Sequence, residues 1–150
     1  MIKDIQRSDL IKYRIDQAKA TKNEAKLMIE NDMFRGAINR IYYAMFYMVL
    51  ALALKYEFDS SKHGQLIGWF NKTFIKEAVI ERRFGKMLRE AFEHRQKNDY
   101  AVYIEYTKKE VKTKYVLMKD FLSYIEEFIL NNQPLNNNAA GFNSEIHPNT

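Results

Sequence analysis

Apolar residues recur every three or four positions along most of the chain, the spacing of helices with one buried face. No segment alternates apolar and polar residues for long enough to suggest a sheet. Ser8 can cap a first helix, whose positions Ile11, Ile15, Ala18, Ala25 and Ile29 line up on one side. Asp32 can cap a second, over about residues 33–57. Ser60 or Ser61 starts a short third helix carrying Leu66, Ile67, Trp69 and Phe70. A fourth is expected from about Glu77 to Lys97. Asn98 and Asp99 then break the chain and recap it for a fifth helix over about 100–130. The fifth helix's stripe is Tyr100, Ile104, Val111, Tyr115, Met118, Leu122, Ile125 and Ile129. The pattern predicts an all-α, up-and-down helical bundle of four long helices and one short one. Both prolines, Pro134 and Pro148, lie beyond it. Residues 1–130 therefore read as the bundle, and 131–150, asparagine-rich and without helical periodicity, as a flexible tail.

Composition narrows the function classes. A chain of 150 residues, 47% hydrophobic and 14% aromatic, supports one folded core. It has no cysteine, which removes disulfides, thiolate metal sites and a cysteine nucleophile and fits a reducing cytoplasm. The opening "MIKDIQRSDL" is charged and lacks the apolar stretch of a secretory signal. The 24 basic residues exceed the 19 acidic ones by five, compatible with a phosphate-bearing partner but shared by many ordinary domains. One uncharged run, "IYYAMFYMVLALAL" at 41–54, is shorter than the roughly 20 residues of a membrane span. It reads as a helix buried on all sides, with no membrane partner.

The stretch "REAFEHRQKNDY", residues 89–100, holds two arginines with different neighbours. At about 100° per residue, Arg95 falls about 20° from Phe84, within the apolar stripe of the fourth helix. Arg89 falls about 140° away, and Arg89 and His94 also point about 140° apart, so they cannot grip one phosphate together. Arg95 continues a buried face and must meet an anion or carbonyls. Asp99 can pair with it or cap the next helix. Arg95, Asp99 and Tyr100 can equally form a structural clasp where two helices meet.

Two more polar groups stand out. Asn39, Tyr42, Tyr43 and Phe46 share a face of the buried second helix, and buried hydroxyls need partners. Lys62 and His63, in "SSKHG", fall in the first turn of the short helix, where an anion is favoured and a lone cation is not.

Together "AINRIYYAMFYMVLALAL", "SSKHGQLIGWF" and "HRQKNDY" resemble the HEPN domains, in the stand-alone branch patterned Asn-Arg-x-Tyr-Tyr-Ala, Ser-Lys-His and Arg-x-x-x-Asp-Tyr. The likeness covers about residues 10–130. It implies catalytic roles for Arg95, Asp99 and Tyr100, and binding roles for Asn39, Tyr42, Tyr43, Lys62 and His63, with no metal and no cofactor. It implies a homodimer with the arginine motifs facing a shared cleft. Many members are metal-independent ribonucleases acting as toxins or antiviral effectors. Members of this kind are often paired with a minimal nucleotidyltransferase, which can act as antitoxin by modifying a tyrosine of the motif. The ribonuclease members have four to six residues between the arginine and a histidine; here the positions that histidine could occupy are Tyr100, Ala101 and Val102. A metal-independent endoribonuclease and a non-catalytic module for RNA, nucleotide or assembly both remain open. Tyr100, near pKa 10, is a poor base at neutral pH, and Asp99 is a weak one. His63 can serve only if the fold brings it to Arg95.

Overall fold

A computed structural model describes residues 4–100 and 104–132. Five α-helices, α1 (Asp4–Glu30), α2 (Phe34–Lys55), α3 (His63–Phe70), α4 (Arg82–Tyr100) and α5 (Lys108–Asn131), make an all-α bundle, without strands among the described residues. The expected fold class holds. The tail assigned to 131–150 lies outside the described residues from position 133 on.

Helix α2 is the axis of the bundle, in contact with α1, α3, α4 and α5. It is long and apolar enough to cross a membrane by composition, but 72% of its most apolar stretch is buried against the other helices. Met48, Val49, Ala51 and Leu52 are fully enclosed, so its all-round hydrophobicity is a property of its central place. Phe70, Phe74, Phe84, Phe121 and Ile125 close the core around its C-terminal half.

The helix ends correct several expected caps. Helix α1 already begins at Asp4, so Ser8 lies inside it. It stops at Asp32, whose φ of 56° is left-handed, while the Met33 N–H donates to the Met28 carbonyl at 2.7 Å. Asp32 thus ends α1 and does not cap α2, whose preceding residue Met33 makes no side-chain cap. The α1–α2 turn is tight enough that a Cβ on Gly36 would sit 2.8 Å from the Met28 sulfur. Helix α3 starts later than expected, at His63, with Lys62 before it. It continues into a π-helical turn, Asn71–Ile75.

Asn98 and Asp99 do not break the chain. Helix α4 runs through them to Tyr100, and Arg95 and Asp99 sit four apart on one continuous helix. The cap of α5 is Thr107, whose Oγ1 accepts from the Glu110 N–H at 3.1 Å and pairs with the Glu110 carboxylate at 3.0 Å. Tyr100 and Ile104 therefore lie outside α5. Both asparagine and aspartate tolerate a helix interior when tertiary contacts hold it, and Asn98 has such contacts.

Candidate functional site

Three elements converge at one end of the bundle: the N-terminal half of α2, the start of α3 and the last turns of α4. Tyr42 is fully buried, and its hydroxyl lies 2.6 Å from His63 Nδ1. The His63 ring stacks on Phe46, with centroids 4.1 Å apart and planes 10° apart. Tyr42 packs edge-on to Tyr43 and against Phe92. The Arg95 guanidinium lies over this aromatic wall, 5.4 Å from the Tyr43 ring centre and 6.0 Å from that of Tyr42. Tyr42 and Tyr43 thus both lie between His63 and Arg95, and Tyr42 adds the hydrogen-bond contact to the histidine.

Arg95 Nε lies 3.2 Å from the Asp99 carboxylate, with both side chains partly open to solvent. The contact is within ion-pair distance but not aligned as a hydrogen bond, and Nε has no hydrogen-bond partner. The side chains are partly exposed but Nε itself is buried, so a misaligned pair leaves this N–H short of a partner that another anion can supply.

Burial holds the Tyr42 hydroxyl far above the ordinary tyrosine range, with Tyr43 adding to the effect and Arg95 opposing it. It stays protonated. Burial lowers the pKa of His63, and the positive charge of Arg95 lowers it further. His63 is thus neutral at pH 7, with one ring nitrogen able to accept a proton. Which one depends on whether Tyr42 donates to Nδ1 or accepts from it.

Of the sequence-predicted residues, Tyr42, Tyr43, His63, Arg95 and Asp99 come together. Asn39 is half-buried on α2, and its side chain has no hydrogen-bond partner among the described residues. Lys62 is exposed immediately before α3 and makes no side-chain cap. Tyr100 is 86% exposed at the end of α4, about 140° around the helix from Arg95, so it takes no part in the arginine–aspartate pair. The pairing of Arg89 with His94 fails as well. Arg89 is exposed on the outer face, while His94 borders a small apolar pocket with Met87 and Met118.

Two residues of the site escaped the sequence reading. Phe92, one turn before Arg95, completes the aromatic wall. Asn98 is buried; its side-chain amide donates to the Arg35 carbonyl at 2.9 Å, and the Arg35 guanidinium donates to the Asn98 carbonyl. This two-way link fastens the end of α4 to the start of α2 and so sets Arg95 over the tyrosines. It lies about 60° from Arg95 on the helix, a signal hidden by ending α4 at residue 97. Among the described residues, no three of His, Cys, Asp or Glu gather as metal ligands.

Comparison with known proteins gives the arrangement its kin. The HEPN domain family matches residues 11–128. A UPF0332 protein of Thermotoga maritima is 35% identical over 124 residues, covering 83% of this chain and 94% of its own. A Methanocaldococcus jannaschii protein named "putative toxin" is 31% identical, over 77% of this chain and 79% of its own length. A second protein of that organism with the same description is 34% identical over 60% of this chain and 67% of its own. With the bundle, the tyrosine-bearing central helix and the arginine at the end of α4 all inside the matched region, this chain belongs to the HEPN family.

Proposed function

We propose that this chain is the toxin-like member of a toxin–antitoxin or defence pair, and that its Arg95 cleft acts on RNA in the cytoplasm as a metal-independent endoribonuclease. The observation that carries this reading is the His63–Tyr42–Arg95 cluster. RNA cleavage by its own 2′-OH requires a base for the hydroxyl proton, a proton for the departing 5′-oxygen, and positive charge at the crowded phosphorus. Arg95 supplies the charge. His63, neutral beside it, takes the 2′-OH proton in place of the histidine that the motif lacks, the departing 5′-oxygen is protonated by the imidazolium so formed or by water, and Tyr42 holds the ring. Asp99 orients Arg95, Lys62 and Asn39 flank the cleft as binding residues, and Tyr100 stands exposed at its edge. Two relatives described as toxins support the biological class. The family resemblance adds a homodimer and a minimal nucleotidyltransferase as antitoxin partner.

Purified protein in excess chelator should cut labelled RNA to products ending in a 2′,3′-cyclic phosphate. Arg95→Ala and His63→Ala should each lower the rate by about 10²–10³-fold, the usual effect of losing such a group. His94→Gln should leave the rate unchanged. Full activity in His63→Ala would sink the histidine's role. Co-expression with a minimal nucleotidyltransferase encoded beside this chain, the partner the resemblance implies, should relieve growth arrest.

The absence of histidine at Tyr100, Ala101 and Val102 favours a second reading, a non-catalytic RNA- or nucleotide-binding module. RNA bound tightly, in an Arg95-dependent way and without turnover, selects it.

A further inference from the structure

Arg89, set aside as a partner for His94, belongs to a different feature. On the outer face of α4, Arg82, Lys86 and Arg89 follow one another at spacings of four and three, so their side chains lie in a row. Lys76 faces them from the loop after the π-helical turn, and the four cations line one depression of about 450 Å³ with Asn71 and Gly85 in its wall. No carboxylate lines it. The depression between α1 and α5, in contrast, mixes Lys19, Lys22 and Lys119 with Asp120 and Glu126.

The charges in this pocket are largely uncompensated. Arg82, Arg89 and Lys76 make no ion pair among the described residues, and Lys86 only reaches Glu90 at the 4.0 Å limit. Two of the nearby acids are committed elsewhere. Arg83, the next residue along, takes Glu81 at 3.2 Å and Asp120 at 2.5 Å. Gathering like charges at helical spacing, with Arg82 in the first turn of α4, is disfavoured by neighbour repulsion and by the helix dipole. The row is unfavourable unless something negative settles on it.

The backbone is shaped to the same end. The π-helical turn is a poor local conformation that recurs at functional sites. Here it presses Asn71 and Ile75 so close to α4 that a Cβ on Gly85 would lie 2.8 Å from Asn71 Oδ1 and 3.0 Å from an Ile75 methylene. Glycine therefore keeps the wall of the depression low, between the row of cations and the asparagine amide.

We propose that this pocket binds a chain of phosphate groups, from either a nucleoside triphosphate or an RNA backbone, at a site separate from the Arg95 cleft. Three cations spaced along about 10 Å of helix suit successive phosphates better than one. Its existence does not depend on whether the cleft cleaves.

The test is run in full-length Arg95→Ala protein, so that the cleft's own contact is already lost. Calorimetry at low salt with tripolyphosphate and ATP, and anisotropy with a labelled RNA oligonucleotide, compare it with a further triple change, Arg82→Glu/Lys86→Glu/Arg89→Glu. The triple change should weaken at least one probe by about tenfold or more. A loss confined to ATP and tripolyphosphate identifies a nucleotide site, and a loss confined to RNA a backbone contact. The neutral Arg82→Gln/Lys86→Gln/Arg89→Gln protein should show the same loss, which separates binding from damage by charge reversal. Lys109→Glu/Lys112→Glu/Lys119→Glu, the same change in charge on α5, should weaken the same probe less than about threefold. Equal loss in that control, or no change in the pocket variant for any probe, overturns the site.

Discussion

Replacing Arg95 by methionine separates a functional arginine from a structural clasp. Methionine keeps much of the stem's packing and removes the charge. The lost contacts are the two ring contacts at 5.4 and 6.0 Å and a carboxylate pair at 3.2 Å, with the arginine and aspartate side chains 25% and 37% exposed. Partly exposed cation–π contacts are worth about 0.5–1 kcal/mol each. The screened, misaligned pair adds about 0.3–0.5 kcal/mol. Relief of the arginine's own desolvation offsets part of this sum, so equilibrium unfolding in urea should show a loss of about 1 kcal/mol, with an unchanged denaturant slope. A buried ion-pair staple would instead cost about 3–5 kcal/mol when broken. The same variant should raise the His63 pKa, followed by NMR, because one positive neighbour is gone. The rise should stop short of the ordinary histidine value, since burial is the larger cause and persists. A stability loss of 3 kcal/mol or more, or an RNA-directed activity that survives intact, refutes the assignment of Arg95 to function.

Tyr42→Phe removes the hydroxyl 2.6 Å from His63 while keeping the ring; it should cost about 1–2 kcal/mol and be read as a lowered urea midpoint. Retention of full cleavage there would exclude Tyr42 as the holder of the histidine. Asn98→Ala breaks the link to Arg35 and should cost about 1–3 kcal/mol, with faster amide exchange confined to the last turns of α4 and the start of α2. Gly85→Ala forces apart a contact that a Cβ would bring to 2.8 Å; a melting temperature equal to the parent's would show that the π-helical turn yields freely. His63 and His94 both have folded pKa values below the ordinary 6.5, so the folded state resists protonation. Their contribution to stability is full above about pH 6.5 and is lost as pH falls through the lowered values. Urea midpoints at pH 7.5 and pH 5 should differ, and the gap should narrow in His63→Gln/His94→Gln.

Helix periodicity alone was enough for the bundle, because the apolar stripes met the core they implied, except at Tyr100 and Ile104, which lie outside α5. Boundaries were less legible. Asp32 and Asn98–Asp99 look like helix punctuation, yet left-handed geometry at Asp32 ends a helix, and tertiary contacts carry α4 through Asn98. That one boundary moved several conclusions: Asp99 became an i,i+4 neighbour of Arg95, and Tyr100 left the fifth helix. The i,i+3,i+4 grouping of Tyr42, Tyr43 and Asn39 placed them correctly on one face, and the angular separation of Arg89 from His94 was readable. Whether His63 reached Arg95 was not, since it depends on how a loop delivers α3 to the front of α2. Phe92 and Asn98 drew no attention because their importance lies in what faces them across helices.

The central helix carries the core on its back and the tyrosines on its front, with no spacer between the two. Random variation in this gene will therefore have two populations of inactive descendants that look alike by phenotype. Most lesions between Ala37 and Ala53 will remove the protein itself, through proteolysis of a bundle lacking its axis. On the proposed function, substitutions at Lys62, Arg95 or Asp99, open or partly open to water, leave soluble chains that lack the RNA-directed activity. Measuring the amount of soluble protein beside each loss of activity sorts a survey of variants into these two classes without a further structure.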